Sequence, residues 1–238
     1  MRGFRANGFT IIELLVTISI VVILTSIMMP GFRAARESAN RVQCSSNLRQ
    51  IGLAMYSYAC QNGEHLPATI FDDDGSALPA EMMALTTGSM TMSNQSCQWD
   101  GLGLLIGDAN MFLDSTHALY CPCHHGAHQA SEGELAKKLL PQRTYGNYHF
   151  VGDTNRADHH QRLLFEQSSE DAIVVDGMRE ATDVNHVNGT NTLRGDASVR
   201  FWYDRSMTLR NALTVSTADA PPPEDVYKDL WVLFGKSN

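Results

Sequence analysis

The chain has 238 residues and a formal net charge of −8, and this length predicts one membrane anchor plus one globular domain of about 150–180 residues. It contains no run of basic residues, so a nucleic-acid-binding surface is not expected. It also lacks a G-x-S-x-G motif, an H-E-x-x-H motif and a phosphate-binding loop, so enzymatic activity is not expected.

The N-terminus combines a basic head with an apolar segment of membrane length. Arg2 and Arg5 precede the sequence G-F-T-I-I-E at residues 8–13, and the 21 residues from Phe9 to Met29 would form about 30 Å of helix. A secretory signal peptide explains the segment less well, because its apolar core is only about 7–15 residues long and ends in a small-x-small cleavage site. A plain anchor leaves Glu13 unexplained, since a charge this near the bilayer core costs about 2.5–3.5 kcal/mol.

This segment resembles the N-terminus of type IV pilins and type II secretion pseudopilins. The resemblance implies that a prepilin peptidase cuts between Gly8 and Phe9 and methylates the new N-terminus at Phe9. It also implies that Glu13 meets the N-terminal amine of a neighbouring subunit, an ion pair that would offset much of the cost of the buried carboxylate. The family often has a proline where Pro30 stands, and we expect it to weaken the helix.

An apolar stripe continues the helix beyond the anchor. Its members recur mostly at helical spacings, and they are Ala35, Val42, Leu48, Ile51, Met55 and Tyr58. The sequence Q-N-G at residues 61–63 is a stop signal. We therefore expect a leader peptide (residues 1–8), a transmembrane or filament-core helix (9–30), its amphipathic continuation (31–62) and an extracytoplasmic head (63–238).

Residues 41–54 carry a second resemblance. They are similar to the C-x-N-N-L-K-Q-I-G-L-A segment of a large bacterial group of pseudopilin-like proteins with a domain of unknown function (DUF1559), which frequently end with an H-x9-D-G motif. Here Asp196 follows His186 by ten residues, and Ala197 replaces the glycine. The alanine predicts a turn without a left-handed backbone. We expect His186 and Asp196 to form a structural clamp rather than a catalytic pair, because no suitable nucleophile accompanies them.

Strand patterns predict a small antiparallel sheet in the head. The candidate strands are residues 145–151, 172–175, 191–193 and 198–203, with a hairpin turn at 194–197. Residues 131–140 read as a short capped helix, and residues 226–234 are expected to add a terminal helix or strand. The predicted fold class is α+β, with a long N-terminal helix packed on a small antiparallel sheet that carries large loops.

Five cysteines remain in the mature chain, and an extracytoplasmic location favours disulfides among them, although their pairing is open. The strongest metal candidate is Cys121-Pro122-Cys123-His124-His125 with His128 close by, since thiolate and imidazole suit zinc or copper. The cluster lacks a second spaced ligand pair. The preferred interpretation is therefore a disulfide to Cys97 or within the loop, with exposed histidines and no cofactor.

Two further polar clusters are interpreted as solvent-exposed. The acidic turn D-D-D-G at residues 72–75 has oxygens that could help to hold calcium, but no EF-hand spacing follows it. The pair His159-His160 is interpreted as part of a polar loop. Neither cluster predicts a functional site.

The residues and the resemblance together predict a pilin-like structural subunit of a type II secretion or related filament system. The expected partners are the prepilin peptidase, other pilin-like subunits or copies of the chain, the assembly machinery and the membrane. Arg33, Arg36 and Arg41 oppose Arg2 and Arg5, so only the resemblance places the chain in the inner membrane with its head outside. The alternative is a membrane-anchored module that binds a ligand or metal and never polymerises. An anchored hydrolase has little support.

Overall fold

The computed structural model describes residues 9–70, 82–87, 98–107, 111–125, 143–152, 154–155, 160–161, 170–179, 181–213 and 224–235. The chain forms two compact units, Met1–Ala39 and Asn40–Asn238. Several predictions lie outside the described residues, namely those for the leader peptide, the acidic turn at 72–75, Cys97, His128, the helix at 131–140 and His159.

Helix α1 spans Ile11–Gln61 and continues through Pro30. The predicted stop signal is confirmed, because the backbone turns left-handed at Gly63 (φ 67°) and Glu64 (φ 70°). The N–H of Glu64 donates a hydrogen bond of 2.8 Å to the carbonyl of Ala59, which closes the last turn of the helix.

From Ile11 to Phe32, in the first unit, α1 is mostly apolar and exposed on all sides. Ile11 is 85% exposed and Met28 is 71% exposed. The most apolar 18-residue window has a mean hydropathy of 2.6 with none of it buried, so α1 is long and apolar enough to cross a membrane. Its threonine and serine hydroxyls donate to carbonyls three or four residues back, as Thr17 does to Leu14 at 2.8 Å. These polar groups are therefore satisfied within the helix, as a hydrocarbon environment requires.

In the second unit, α1 buries one face. The fully buried positions are Cys44, Leu48, Ile51, Met55 and Ala59. The predicted stripe is confirmed at three of these positions and is wrong for Val42, which is 68% exposed. Val42 lies two residues before Cys44, a rotation of about 200° around the helix, and so it faces the opposite side. Ala35, in the first unit, is exposed as well.

The strands form one four-stranded sheet and one small ribbon. In chain order they are β1 (Tyr148–Phe150), β2 (Thr154–Asn155), β3 (His160–Gln161), β4 (Ala172–Asp176), β5 (Gly189–Arg194) and β6 (Val199–Tyr203). The antiparallel sheet has the order β1-β4-β5-β6, and β2 pairs with β3. The four predicted strands are confirmed, although the first begins at Tyr148 rather than at residue 145.

The sheet separates two apolar cores. Leu48 and Ile51 of α1 lie in the larger core together with Leu193 of β5. The smaller core contains Val175 of β4 with residues from α2 (Thr208–Leu213) and α3 (Glu224–Gly235). The C-terminal segment was predicted to form a helix or a strand, and it forms the helix α3. The predicted α+β architecture, a long helix packed on a small antiparallel sheet, is confirmed.

The predicted hairpin turn between β5 and β6 is confirmed, but the prediction for its backbone is wrong. The N–H of Ala197 donates to the carbonyl of Arg194, and the N–H of Arg194 donates to the carbonyl of Ser198, both at 2.9 Å. Ala197 has φ 61°, which is left-handed. A three-residue hairpin of this kind needs a left-handed residue after its first turn, whichever side chain stands there.

Candidate functional site

Helix α1 begins with a reciprocal cap formed by Thr10 and Glu13. Atom Oε2 of Glu13 accepts hydrogen bonds from the backbone N–H of Thr10 at 2.9 Å and from its hydroxyl at 2.8 Å. The N–H of Glu13 donates to Oγ1 of Thr10 at 3.3 Å. This is the capping-box arrangement of a threonine followed three residues later by a glutamate. The T-x-x-E pattern is visible in the sequence, although no role was predicted for Thr10.

The cap holds the carboxylate at the first turn of the apolar helix. Glu13 is the one ionisable side chain between Phe9 and Phe32. Negative charge is favourable at a helix N-terminus, and the two bonds from Thr10 satisfy one carboxylate oxygen locally. The other oxygen, Oε1, has no hydrogen bond to the residues that the structure describes. Of the predicted processing residues, Phe9 is exposed, and Gly8 lies outside the described residues.

The second unit contains a buried cluster of three cysteines and one histidine. Cys44, Cys121, Cys123 and His186 each place a ligand atom within 4.8 Å of the others. Cys44 and Cys121 form a disulfide. Atom Sγ of Cys123 lies 3.1 Å from Sγ of Cys121 and 3.5 Å from Nδ1 of His186. The cluster therefore joins α1, the loop that contains Cys121 and the segment before β5.

This cluster corrects the predicted pairing of Cys121. Its disulfide partner is Cys44, neither Cys97 nor a cysteine of the same loop. Cys44 lies on the buried face of α1, and one buried hydrogen bond holds the loop against that face while a second fixes it to the segment before β1. Asn47 donates from Nδ2 to the carbonyl of Tyr120 at 3.0 Å, and the N–H of Cys121 donates to Oδ1 of Asn147 at 3.2 Å.

The histidines of the loop have different environments. His125 is exposed as predicted, but the prediction of an exposed side chain is wrong for His124, which is buried. The ring of His124 contacts Oδ1 of Asn185 through Nδ1 at 2.7 Å and lies 3.7 Å from Oδ1 of Asp183. His124 is thus held by polar groups away from the cysteines, and the predicted ligand set is divided between two places.

His186 faces Asp176, so the predicted clamp between His186 and Asp196 is wrong. Atom Nε2 of His186 lies 3.4 Å from Oδ2 of Asp176 and 3.0 Å from Nδ2 of Asn191. Burial raises the pKa of the Asp176 carboxyl, and the nearby His186 ring opposes that shift only in part. Asp176 therefore supplies the carboxylate that was predicted to be Asp196. No motif spacing connects Asp176 with His186.

Asp196 lies at the other end of β5 from His186. The strand between them spans about 17 Å. Asp196 is exposed, and its Oδ1 accepts a hydrogen bond of 2.9 Å from the N–H of Ser198. Its structural role is to hold the hairpin turn, as short polar side chains commonly do.

Two family comparisons match the N-terminal part of the chain. The family described as "Prokaryotic N-terminal methylation motif" matches residues 3–29. The family described as "Protein of unknown function (DUF1559)" matches residues 33–92. No solved structure matches the chain at a significant level.

A curated relative matches a shorter segment. The chain is similar to the type II secretion system core protein G of Pectobacterium carotovorum subsp. carotovorum, with 31% identity over 67 residues. The match covers 28% of this chain and 42% of that protein, so the chain spans about two fifths of its relative's length. The methylation motif, the DUF1559 segment and the architecture of one long helix on a small sheet support a type IV pilin-like protein.

Proposed function

We propose that the chain is a filament subunit of a type II secretion or related system, and that it assembles through α1 after cleavage between Gly8 and Phe9. The observation that carries the proposal is the exposed apolar half of α1 with the single carboxylate of Glu13 at its start. The subunit performs no chemistry of its own. A prepilin peptidase and an assembly machinery act on it, and its head faces the periplasm or the outside of the cell.

The exposed apolar surface of α1 supports a requirement for partners. Large apolar side chains that are more than half exposed occur at 14 of the 19 positions from Ile11 to Met29. A contiguous apolar surface of this size is found where a bilayer or another protein covers it. Before assembly the bilayer covers it, and in a filament the helices of neighbouring subunits replace the lipid.

The capping box supports a defined role for Glu13 in assembly. Because Thr10 holds Oε2, the carboxylate stays at the helix start, beside the point where cleavage would create a free amine on Phe9. A neighbouring subunit's amine can then bind Oε1 without breaking the cap. The cap alone needs a hydrogen-bond acceptor at residue 13, whereas the ion pair needs a charge.

The proposal that the head has no catalytic activity is supported by the burial of its reactive side chains. Among the described residues of the head, the neighbouring thiol of Cys123 and imidazole of His186 are 3% and 0% exposed. A catalytic pair must reach a substrate, and these two side chains have no such access in the folded head. The match to a type II secretion core protein supports the assignment to a secretion filament.

Two variants separate the cap from the ion pair. Glu13→Gln keeps an acceptor for Thr10 but removes the charge, whereas Thr10→Ala removes the cap and keeps the charge. We expect Glu13→Gln to be processed and inserted normally and to lower cross-linking between subunits by about tenfold, equivalent to about 1.4 kcal/mol. Thr10→Ala should lower it by less than about threefold, since a cap contributes about 1 kcal/mol to the helix alone.

The assay cross-links cysteines introduced into the apolar half of α1 in cells, in a Cys60→Ser background, with the N-terminal mass measured in parallel. Gly8→Leu is the processing control and should retain residues 1–8. Equal cross-linking by the Glu13→Gln variant and the parent chain would remove the assembly role of Glu13. A parent chain that retains residues 1–8 would instead favour the membrane-anchored module.

A further inference from the structure

We propose that Cys44, Cys121, Cys123 and His186 form a zinc site when the Cys44–Cys121 disulfide is reduced. Three thiolates and one imidazole are an established ligand set for structural zinc. The proposal concerns the second unit and does not depend on filament assembly. The disulfide and the zinc site would be alternative states of one cluster, and each would fasten the loop that contains Cys121 to α1.

The geometry of the cluster is close to that of a tetrahedral site. In a tetrahedral site, zinc–sulfur distances of about 2.3 Å and zinc–nitrogen distances of about 2.0–2.1 Å place the ligand atoms about 3.5–3.8 Å apart. Sγ of Cys123 already lies 3.5 Å from Nδ1 of His186, and all four ligand atoms lie within 4.8 Å of one another. Cleavage of the disulfide lets the sulfurs of Cys44 and Cys121 separate by the amount that zinc requires.

The supporting contacts do not depend on the disulfide. Asn47, one helical turn after Cys44, holds the carbonyl of Tyr120, and Asn147 holds the N–H of Cys121. The site also lies in the larger apolar core. Reduction therefore leaves the three cysteines near one another, as a site that binds metal without refolding requires.

The orientation of His186 fits a metal ligand. Its Nδ1 faces the cysteines, and its Nε2 lies 3.4 Å from Oδ2 of Asp176. Histidines that bind metal through one nitrogen commonly donate the other N–H to a carboxylate, which fixes the ring and its tautomer. Asp176 is fully buried and thus serves as the positioning residue for His186.

A dithiol can act as the reductant of the Cys44–Cys121 disulfide. The dithiol transfers two electrons to the Cys44–Cys121 bond, becomes a disulfide itself and leaves two thiols on the chain. Binding of Zn²⁺ then releases three thiol protons to solvent. The imidazole binds the metal in its neutral form.

The test uses the full chain in detergent, reduced with a phosphine without oxygen and titrated with Co²⁺ as a spectroscopic probe. We expect one Co²⁺ per chain, a thiolate-to-cobalt absorption band and the visible bands of tetrahedral Co²⁺, all of which Zn²⁺ should abolish by displacement. Cys123→Ser and His186→Ala should lose the tetrahedral spectrum. Asp176→Asn should weaken metal binding by about 10–100-fold.

Matched controls locate the metal. Cys60→Ser removes an exposed thiol outside the cluster, and His125→Ala removes an exposed imidazole of the same loop, so neither should alter the spectrum. Circular dichroism of the oxidised Cys123→Ser chain, which retains both disulfide cysteines, shows whether that variant folds. A reduced parent chain without a thiolate band overturns the proposal. A spectrum that survives both Cys123→Ser and His186→Ala overturns it as well, because the metal is then bound elsewhere.

Discussion

Removal of the Cys44–Cys121 disulfide should destabilise the second unit by up to about 4.5 kcal/mol. The bond joins residues that are 77 apart in the sequence. Closing a loop of that length removes about 15 cal/mol/K of entropy from the unfolded chain, which is about 4.5 kcal/mol near room temperature. Measured values for such bonds are about 2–4 kcal/mol. For a unit of this size, the Tm should fall by roughly 5–15 °C.

The perturbation is the double substitution Cys44→Ala and Cys121→Ala. Cys44→Ala alone would leave Sγ of Cys123 only 3.1 Å from Sγ of Cys121 and so permit a new disulfide. The full chain is unfolded by urea in detergent with a chelator present, and tryptophan fluorescence reports on the head. Cys60→Ala is the matched control, because Cys60 is an exposed thiol outside the disulfide. Its free energy of unfolding should change by less than about 0.5 kcal/mol.

Chemical reduction of the parent chain supplies an independent comparison. Its urea midpoint should fall to about that of the double variant, and the m-value should rise, because an unfolded chain without the cross-link exposes more surface. Equal midpoints for the oxidised and reduced parent chain would refute the reasoning from loop closure. A loss in Cys60→Ala as large as in the double variant would contradict the pairing itself.

Substitutions at Ala197, Gly103 and Asp100 test local features of the head, each measured by the urea midpoint. Ala197→Gly should stabilise the head by about 0.5 kcal/mol. Glycine relieves the left-handed strain of about 1–2 kcal/mol, which exceeds the cost of about 0.4–1 kcal/mol from the greater entropy of the unfolded chain. Ala197→Val should destabilise the head. Gly103→Ala should cost about 1–3 kcal/mol or more, because its Cβ would fall on the carbonyl of Leu85, whereas Gly31→Ala meets open space and should leave the head unchanged. Burial raises the pKa of the Asp100 carboxyl, and hydrogen bonds from Ile70 and Thr69 only partly oppose that shift. The folded state therefore keeps a proton on Asp100 that the unfolded state loses above about pH 4. The stability of the parent chain relative to Asp100→Asn should therefore decrease as the pH rises from about 4 through the raised pKa, and a difference that increases with pH would contradict this sign.

The sequence by itself determined the features that depend on neighbouring residues. The apolar run, the position of Glu13 and the stop signal at residues 61–63 predict where α1 lies and where it ends, because helix formation and its termination depend on side chains within about one turn. The hairpin at residues 194–197 was predictable for the same reason, since its strands alternate in polarity on both sides of a short polar turn. The T-x-x-E cap was equally local and could have been read from residues 10–13.

The tertiary structure decided the features that depend on distant residues. Cys44 meets Cys121 because one face of α1 packs on the loop, and spacing along the chain carries no information about that meeting. His186 meets Asp176 because β4 and β5 pair, although the motif pointed to Asp196. Val42 is exposed because the sheet covers only one side of α1, and a helical stripe does not specify how wide the covered side will be. In each case tertiary packing decides which groups meet and which side of a helix is covered, and the groups concerned lie far apart in the sequence.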